Sequence, residues 1–523
     1  MTGNVQFLEN PEMPGNFPDW IELYNGSDVQ IDLTGLFLSD DTGNLTKWKI
    51  PLGLRIPSKG FLLIYADNYP GLGINHAGFK LSSVQGLVLL VDRDGKTPID
   101  SIGYDQQIGD VSWGRFPDGG SIFHFMEEPS PLKANIEGYS QVCEQASYSH
   151  LHGFYTEPFL LTFESSQPGS SIYYTLDGSS PDDTTAGSVL KYMDPINING
   201  TSVVRTMTFN SGCLISESLS QSYIYITDVL NQPAAPEGFS TDWGHTGEGD
   251  YEMDPEVVNS AAYKDDMSDA LQSIPTLSLI MDHNDWFGPD GIYIEGELDK
   301  RKVSIEMFGN KDSLEFQING AVMIVGGTSV NRWKSDKLSM RLHFDMEFGQ
   351  GKLRFPVFNT GVESYNSLTI DARLNNAWHY GGKVNIRDRS ESLKQNDIAQ
   401  YTRDNFVAEL QNQIGGYAPH GKKVHLYLNG IYWGMHWLHE RPDEHFAAAY
   451  LGGSAEDYSI LKHSYEEIES GTNQSYVEML DLLDTDLYSP SSLDRIREYL
   501  DVENLIDYMI LNITVGNSDW DHK

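Results

Sequence analysis

The residues best suited to bind a phosphate group lie in one short stretch of the chain's second half. Gly326, Gly327, Thr328 and Ser329 follow an alternating apolar run and precede the segment KLSMRLHFD, which carries Lys337 and Arg341. A small, flexible turn lets the backbone approach phosphate closely, and a cation on the next strand can neutralise its charge. The same four residues would also suit an ordinary hairpin turn, and Arg341 would equally suit a solvated strand.

Two further segments contain metal-binding residue types without metal-binding spacing. In HERPDEH, the H-E-x-x-H motif of zinc proteases would need a histidine at position 443, but Asp443 stands there and Pro442 would break the required helix. The acids of DHNDW, residues 282–286, lack the spacing of an EF-hand calcium loop. We therefore expect no zinc-protease site and a surface loop at 282–286.

Two alternating strands would position the phosphate-binding residues. The first has an apolar face made of Phe316, Ile318, Val322 and Ile324. The second has an apolar face made of Leu338, Met340, Leu342 and Phe344. Because side chains alternate along a strand, Lys337 and Arg341 fall together on the opposite face of the second strand.

A helix, a hairpin and further helices follow. Helical spacing over 396–414 predicts a helix that stops at a pair of glycines. Val424, Leu426 and Leu428 alternate before Asn429-Gly430, which favours a type I′ hairpin turn. The apolar stripe of residues 502–513 predicts a buried helix that leads directly into a turn containing Asp519.

This order of strands, helix, hairpin, short hinge and helices is that of a protein-kinase-like fold. The segments GIYIEG, KLSMRLHF, GQGKLRFPVF, HLYLNGIYWGMHWLHERPDEHF and GNSDWDHK resemble the CotH family of spore-coat and secreted atypical protein kinases. The resemblance spans essentially all of residues 274–523. It implies an ATP- and Mg²⁺-dependent protein kinase.

The resemblance also implies roles for individual residues. Asp519 would be the catalytic aspartate, and Gly326 to Ser329 would cover the phosphates of ATP, with Arg341 or Lys337 paired to them. Glu440 to Asp443, including Arg441, would form the hinge. The helix at 396–414 would supply a partner for the strand cation, with Asp404 and Glu409 as candidates.

The chain also departs from known kinase patterns. It contains none of the common G-x-G-x-x-G, V-A-I-K, H-R-D or D-F-G signatures, most of which the CotH family also lacks. The family's main metal-binding aspartate would follow Lys523. We therefore expect a fragment with an incomplete C-terminal lobe that is inactive or poorly stable by itself.

Residues 1–130 form the first of two β-rich blocks. The segments DWIELYN, GLFLSDD, GFLLIYAD and GLVLLVDRDG, separated by turn residues, are typical of a sandwich and resemble the lamin-tail domain, an immunoglobulin-like module of secreted bacterial proteins. The family usually opens with a hydrophobic strand, but only VQFLE stands there, so the strand is degenerate or the chain begins late. We expect structural roles for Asp19 and Trp20.

Residues 138–228 form the second β-rich block. The segment FYTEPFLLTFESSQPGSSIYYTLDGSSPD resembles the small accessory sandwich of chitobiases and hexosaminidases. Asp177 is interpreted as a turn residue rather than a catalytic acid. Residues 229–273 are rich in proline, glycine and acids and are predicted to form a linker.

Composition restricts the partners of the protein. The formal net charge of −40 disfavours nucleic-acid binding and fits a basic partner, bound cations or a salty environment.

No run approaches twenty apolar residues, so no membrane span is predicted, and the first residues do not resemble a signal peptide. Cys143 and Cys213 would form one disulfide if the protein is exported, and family context favours a secreted or cell-surface location.

The predicted fold class is multidomain, with two all-β immunoglobulin-like sandwiches followed by an α+β kinase-like domain. The main functional hypothesis is phosphoryl transfer from ATP to serine or threonine hydroxyls of a secreted or surface protein. The alternative is a non-catalytic adhesion or matrix protein with a kinase-like scaffold. A third hypothesis is carbohydrate binding by the chitobiase-like module.

Overall fold

The computed structural model describes residues 1–243, 249, 251–295, 299–309, 315–326, 337–373, 399–483, 494–517 and 520. Four predicted site residues lie outside this described part: Gly327, Thr328, Ser329 and Asp519. In the described ranges, no helix is both long and apolar enough to cross a membrane.

The first unit is built from ten short strands. They are β1 (Trp20–Tyr24), β2 (Ile31–Asp32), β3 (Phe37–Ser39), β4 (Trp48–Lys49), β5 (Arg55–Ile56), β6 (Phe61–Tyr65), β7 (Gly86–Val91), β8 (Pro98–Tyr104), β9 (Ser112–Arg115) and β10 (Phe123–Met126). One sheet has the order β4-β3-β7-β8, and β1-β6, β2-β5 and β9-β10 form separate pairs. Leu38, Ile50 and Ile64 lie in the core, whereas Asp19 accepts a hydrogen bond from the backbone of Gly3.

The second unit contains nine strands. They are β11 (Ser147–Tyr148), β12 (Gly153–Phe154), β13 (Phe159–Leu161), β14 (Phe163–Glu164), β15 (Ser171–Thr175), β16 (Leu190–Lys191), β17 (Ile196–Ile198), β18 (Ser202–Phe209) and β19 (Leu219–Ile224). Cys143 and Cys213 form a buried disulfide in this unit. Asp177 accepts hydrogen bonds from the backbone and hydroxyl of Ser179, which confirms its role in a turn.

A seven-stranded closed barrel follows. Its strands are β20 (Thr276–Ile280), β21 (Arg301–Phe308), β22 (Phe316–Ile324), β23 (Met340–His343), β26 (Ser367–Asp371), β27 (Gly421–Leu428) and β28 (Ile431–His439). The barrel order is β20-β21-β22-β23-β26-β28-β27, and parallel pairing of β20 with β27 closes it. Two smaller pairs accompany it: β24 (Leu353–Arg354) with β25 (Ser364–Tyr365), and β29 (Ile460–Lys462) with β30 (Ser464–Ser470).

The barrel interior confirms the predicted strand faces. Ile318, Val322 and Ile324 of β22 are buried in one core with the predicted apolar face of 338–344. The β27–β28 hairpin turns at Asn429 and Gly430, whose φ angles of 48° and 83° fit the predicted type I′ turn.

Nine helices and one 3₁₀ helix are described. They are α1 (Ile226–Leu230), α2 (Pro255–Val258), α3 (Met267–Ala270), α4 (His283–Phe287), α5 (Ile292–Glu295), α6 (Arg403–Gln413), α7 (Glu444–Leu451), α8 (Gln474–Leu483), α9 (Val502–Thr514) and the 3₁₀ helix Ala455–Asp457. The prediction that the last helix is buried was wrong. In α9, Ile510 and Ile513 are 57% and 65% exposed, because no described segment packs over that side.

The second unit packs against the barrel wall. Side chains of β19 contact those of β20 and β21, with Ser222 Oγ 2.8 Å from Ser278 Oγ and the Ser222 amide donating to Glu306 at 2.9 Å. The segment predicted to be a linker supplies Trp243 and Tyr251 to the barrel core. It therefore packs as part of the barrel.

The fold class is observed only in part. The first two units are β-rich, as expected for sandwiches, but the kinase-like α+β arrangement is not directly shown. The strands of the third unit instead close into a barrel. Pairing between β20 and β27 depends on residues far apart in the chain, and no local apolar pattern encodes such pairing.

Candidate active site

Three neighbouring barrel strands carry polar side chains on their outer face. On this face, Arg341 of β23 lies opposite Thr369 of β26. Two residues further along β26, Asp371 lies opposite Trp437 of β28. The hydroxyl of Ser339 lies 3.2 Å from Asp371 Oδ1. This outer face, on β23, β26 and β28, combines a cation, a carboxylate and an indole.

Arg373 connects the outer face to helix α6. Its Nη1 lies 2.6 Å from Asp404 Oδ2 and 3.3 Å from Asp371 Oδ2. Its Nη2 also donates to Asn405 of the same helix. The guanidinium carbon lies 5.1 Å from the ring centroid of Trp437. The Arg373 side chain is only 4% exposed, whereas Asp404 is 62% exposed, so the ion pair that holds α6 on the barrel is buried on the Arg373 side only.

One residue of the predicted helix does pair with a cation, but this cation is neither Lys337 nor Arg341. Asp404 contacts Arg373, which the sequence analysis missed, whereas Glu409 accepts a hydrogen bond from Gln413 of its own helix. The alternation of SLTIDAR could have revealed Arg373, because it places Thr369, Asp371 and Arg373 on one face.

The prediction that Lys337 shares a strand face with Arg341 was wrong, because Lys337 precedes β23 and lies at the end of the barrel, over buried aromatic rings of its core. Its Nζ is 3.8 Å from the Trp433 ring centroid and 5.3 Å from that of Trp243, within the range of cation–π attraction. Burial lowers the pKa of His436 to about 4, and the positive charge of Lys337 acts in the same direction. His436 is therefore neutral at physiological pH.

Gly326 follows β22 at the same end of the barrel. Its φ of 130° lies in the region that favours glycine. The preceding residue, Val325, donates a backbone hydrogen bond to Ser339. Gly326 therefore lies just after the end of β22, the barrel strand that precedes Lys337 and Arg341 in the chain.

Glu440 is the first residue of the predicted hinge, and its carboxylate is hydrogen-bonded to two other residues of the protein. Its Oε2 accepts a hydrogen bond from the His420 amide at 2.9 Å, and its two oxygens lie 2.8 and 3.0 Å from the Tyr450 hydroxyl. Burial, with the Glu440 charge, raises the pKa of Tyr450, so this hydroxyl stays protonated and can donate. The carboxylate joins the end of β28 to α7.

Arg441 and Asp443 complete the hinge. Arg441 forms a close ion pair with Glu469, and Asp443 caps α7 by accepting from the amides of His445 and Phe446. A crevice of about 30 Å³ runs beside them. This space is roughly that of one water molecule.

Two groups of polar residues, the hinge residues and the Arg373 ion pair, lie at opposite ends of β26. Asp443 contacts Ser367 at the start of the strand, whereas the Arg373 ion pair lies at its end. At a rise of about 3.3 Å per residue, four steps separate the two ends by roughly 13 Å. A ligand that contacts both groups would have to extend along the outer face.

The donors of the outer face fit an anionic group. Arg341 Nε, Arg373 Nε and Trp437 Nε1 are buried N–H groups that have no hydrogen-bond partner among the described residues. Such groups are costly unless an acceptor reaches them. A phosphate supplies acceptor oxygens of the kind that these N–H groups lack. In the described ranges, no group of three or more metal-ligating side chains is found.

Three family models match successive segments of the chain. Residues 1–106 match the Lamin Tail Domain and residues 151–221 match the Chitobiase/beta-hexosaminidase C-terminal domain. Residues 394–523 match the CotH kinase protein family. The chain contains a CotH domain. These matches confirm the predicted order of domains, and a search of curated proteins found no match.

The CotH match covers only part of the candidate site. It includes α6 with Asp404, the β27–β28 hairpin, the hinge residues and Asp519. Lys337, Arg341 and Arg373 precede it. These three residues lie on or beside barrel strands outside the matched segment.

Proposed function

We propose that the CotH domain and the barrel together form an atypical protein kinase. The enzyme would transfer the γ-phosphoryl group of ATP to serine or threonine hydroxyls of a protein. The match of residues 394–523 to the CotH kinase protein family carries this proposal. The buried N–H groups of the outer face support it, because they suit phosphate oxygens.

Phosphoryl transfer depends mainly on positioning and charge neutralisation. Lys337, Arg341 and the residues from Gly326 to Ser329 would hold the phosphates. The Arg373–Asp404 pair would keep α6 against them. Asp519 would orient the attacking hydroxyl and accept its proton. ATP supplies the phosphoryl group, and Mg²⁺ would neutralise the charge of its phosphates.

Transfer of radiolabelled phosphate from ATP by the protein tests the role of Asp519. Asp519→Asn should abolish transfer, because an amide cannot accept the hydroxyl proton. Asp507→Asn is the matched control, since this exposed residue of α9 loses the same charge outside the site. Unchanged transfer by Asp519→Asn would contradict the role of Asp519.

We also propose that the protein is secreted or displayed at a cell surface. The disulfide between Cys143 and Cys213 supports this location, because disulfides persist in oxidising compartments. The charge of −40 favours a basic protein substrate.

The second candidate is an adhesion or matrix protein in which the kinase-like region is a scaffold. Two β-rich accessory modules at the start of the chain favour it. Calorimetry with Mg-ATP separates the two candidates, since a scaffold should bind no nucleotide. Retention of residues 138–228 on a glycan affinity gel would support carbohydrate binding by the second module.

A further inference from the structure

A hydrogen-bond network links helix α6 to the predicted hinge. On the hinge side, the hydroxyl of Tyr450 lies 2.8 and 3.0 Å from the two carboxylate oxygens of Glu440. His420 Nδ1 lies 3.0 Å from the same hydroxyl and 3.1 Å from Glu440 Oε2. A carboxylate can only accept, so Tyr450 and His420 are its donors. This arrangement places the imidazole proton on His420 Nδ1.

The other ring nitrogen of His420 faces α6. Asn412, in the last turn of that helix, has its Nδ2 3.2 Å from His420 Nε2. Ala418 fixes the orientation of the Asn412 amide, because its backbone N–H donates to Oδ1 at 2.8 Å and its carbonyl accepts from Nδ2 at 3.1 Å. The second Nδ2 hydrogen is therefore available to His420 Nε2, which accepts it. One imidazole thus accepts from α6 and donates to the hinge.

The hinge contacts of His420 are well protected from water. The His420 amide donates to Glu440 Oε2 at 2.9 Å, and the Glu440 amide donates to the His420 carbonyl at 3.0 Å. Glu440 is only 3% exposed, so water competes little for these bonds. Because Tyr450 belongs to α7, the barrel, the hinge and α7 meet at the His420 ring.

Helix α6 is attached to the rest of the protein near both of its ends. Asp404 in the first turn pairs with Arg373 at 2.6 Å, and Asn412 in the last turn contacts His420. Asn412 follows Asp404 by eight positions, which corresponds to roughly 12 Å along a helix. The backbone between them is one continuous α-helix, so a displacement at one end moves the other.

We propose that His420 and Asn412 are positioning residues that couple the hinge to the Arg373 end of α6. A change in the angle between α7 and the barrel moves the His420 ring, and α6 carries this movement to the Asp404–Arg373 pair on the outer face. The consequence for ATP rests on the proposed kinase function. The coupling between the two ends of α6 does not.

Hydrogen exchange of the Phe406 amide, which donates to Thr402 at the start of α6, tests the coupling in the full chain. Asn412→Ala should raise its exchange rate by about fivefold, because the link between α6 and the hinge is lost. Gln413→Ala is the matched control, since this neighbouring amide donates to Glu409 of its own helix. The control should leave the rate unchanged. An unchanged rate in Asn412→Ala would overturn the proposal.

Two variants of His420 separate its hydrogen bond from its packing. His420→Ala should raise the exchange rate of the Phe406 amide by about fivefold. His420→Gln should stay close to the native rate, because its amide oxygen can replace Nε2 as the acceptor for Asn412. Equal increases in the two variants would assign His420 a packing role only and contradict the coupling.

The KM for ATP extends the test to catalysis. Asp404→Asn and Asn412→Ala act at opposite ends of α6, and the effects of independent sites that far apart multiply. Coupling predicts instead that each single variant and the double variant raise KM by a similar factor of about five, with little change in kcat. An increase of about 25-fold in the double variant would overturn the coupling. If the native protein transfers no phosphate from ATP, the kinase function fails, and the exchange rate of the Phe406 amide decides the coupling by itself.

Discussion

At the residue scale, one buried arginine organises the candidate site. Arg373 contacts the carboxylates of Asp371 and Asp404 and lies over Trp437. A planar guanidinium can bind two carboxylates and an aromatic face at once, which a lysine ammonium cannot do as well. Arg373 therefore determines where α6 lies against the outer face.

Replacing Arg373 by Met should lower the free energy of unfolding by about 3 kcal/mol, because it leaves partly buried carboxylates without their cation. Asp404→Asn should cost roughly 1 kcal/mol or less, because the Asp404 side chain is 62% exposed and water can replace its contact. Urea unfolding, followed by the fluorescence of the barrel tryptophans, measures both. Equal losses in the two variants would contradict the central role of Arg373.

At the element scale, the last helix shows that an apolar pattern in the sequence does not ensure burial. The sequence of α9 is amphipathic, yet Leu511 is 7% exposed while Ile513, two residues later, is 65% exposed. Asn512, between them, is buried and accepts a hydrogen bond from Asn517. Only the narrow side of α9 that includes Leu511 and Asn512 is covered in the described part of the protein.

Leu511→Ala should therefore lower the stability of α9 by about 2 kcal/mol, because it removes buried methyl groups. Ile513→Ala should change it by less than about 0.5 kcal/mol, because the side chain already contacts water. Hydrogen exchange of the α9 amides compares the two variants directly. A larger effect at Ile513 would show that another surface covers that side in solution.

At the scale of the whole molecule, a histidine lies between the second unit and the barrel. His152 stacks on Phe308 and lies 3.6 Å from carboxylate oxygens of both Glu306 and Glu315. Burial alone would lower the pKa of His152, but the two carboxylates outweigh it and raise the pKa above 6.5. The protonated imidazole therefore stabilises this contact between the second unit and the barrel.

The raised pKa fixes the direction of a pH effect. The contribution of His152 is complete below its unfolded-state pKa and is lost as the pH rises through the folded-state value. Between about pH 6 and about pH 9, the stability of the native chain should fall more than that of His152→Gln. Thermal unfolding measures the difference. His463→Gln, which changes an exposed histidine, should behave like the native chain.

The amino-acid sequence determined the features that depend on neighbouring residues. Alternation assigned the inner faces of β22 and β23, and Asn429-Gly430 located the hairpin turn. The resemblance of three segments to known families also predicted the order of the three domains, which the family matches confirm. These features are local because side-chain direction repeats every two residues in a strand and turn geometry depends on adjacent φ angles.

Only the tertiary structure decided which distant elements meet. It closed the barrel through β20 and β27, placed Arg373 against α6 and separated the hinge residues from the Arg373 ion pair along β26. Each outcome depends on packing between segments far apart in the chain. An apolar pattern specifies which face of an element is buried, but it does not specify which partner covers that face.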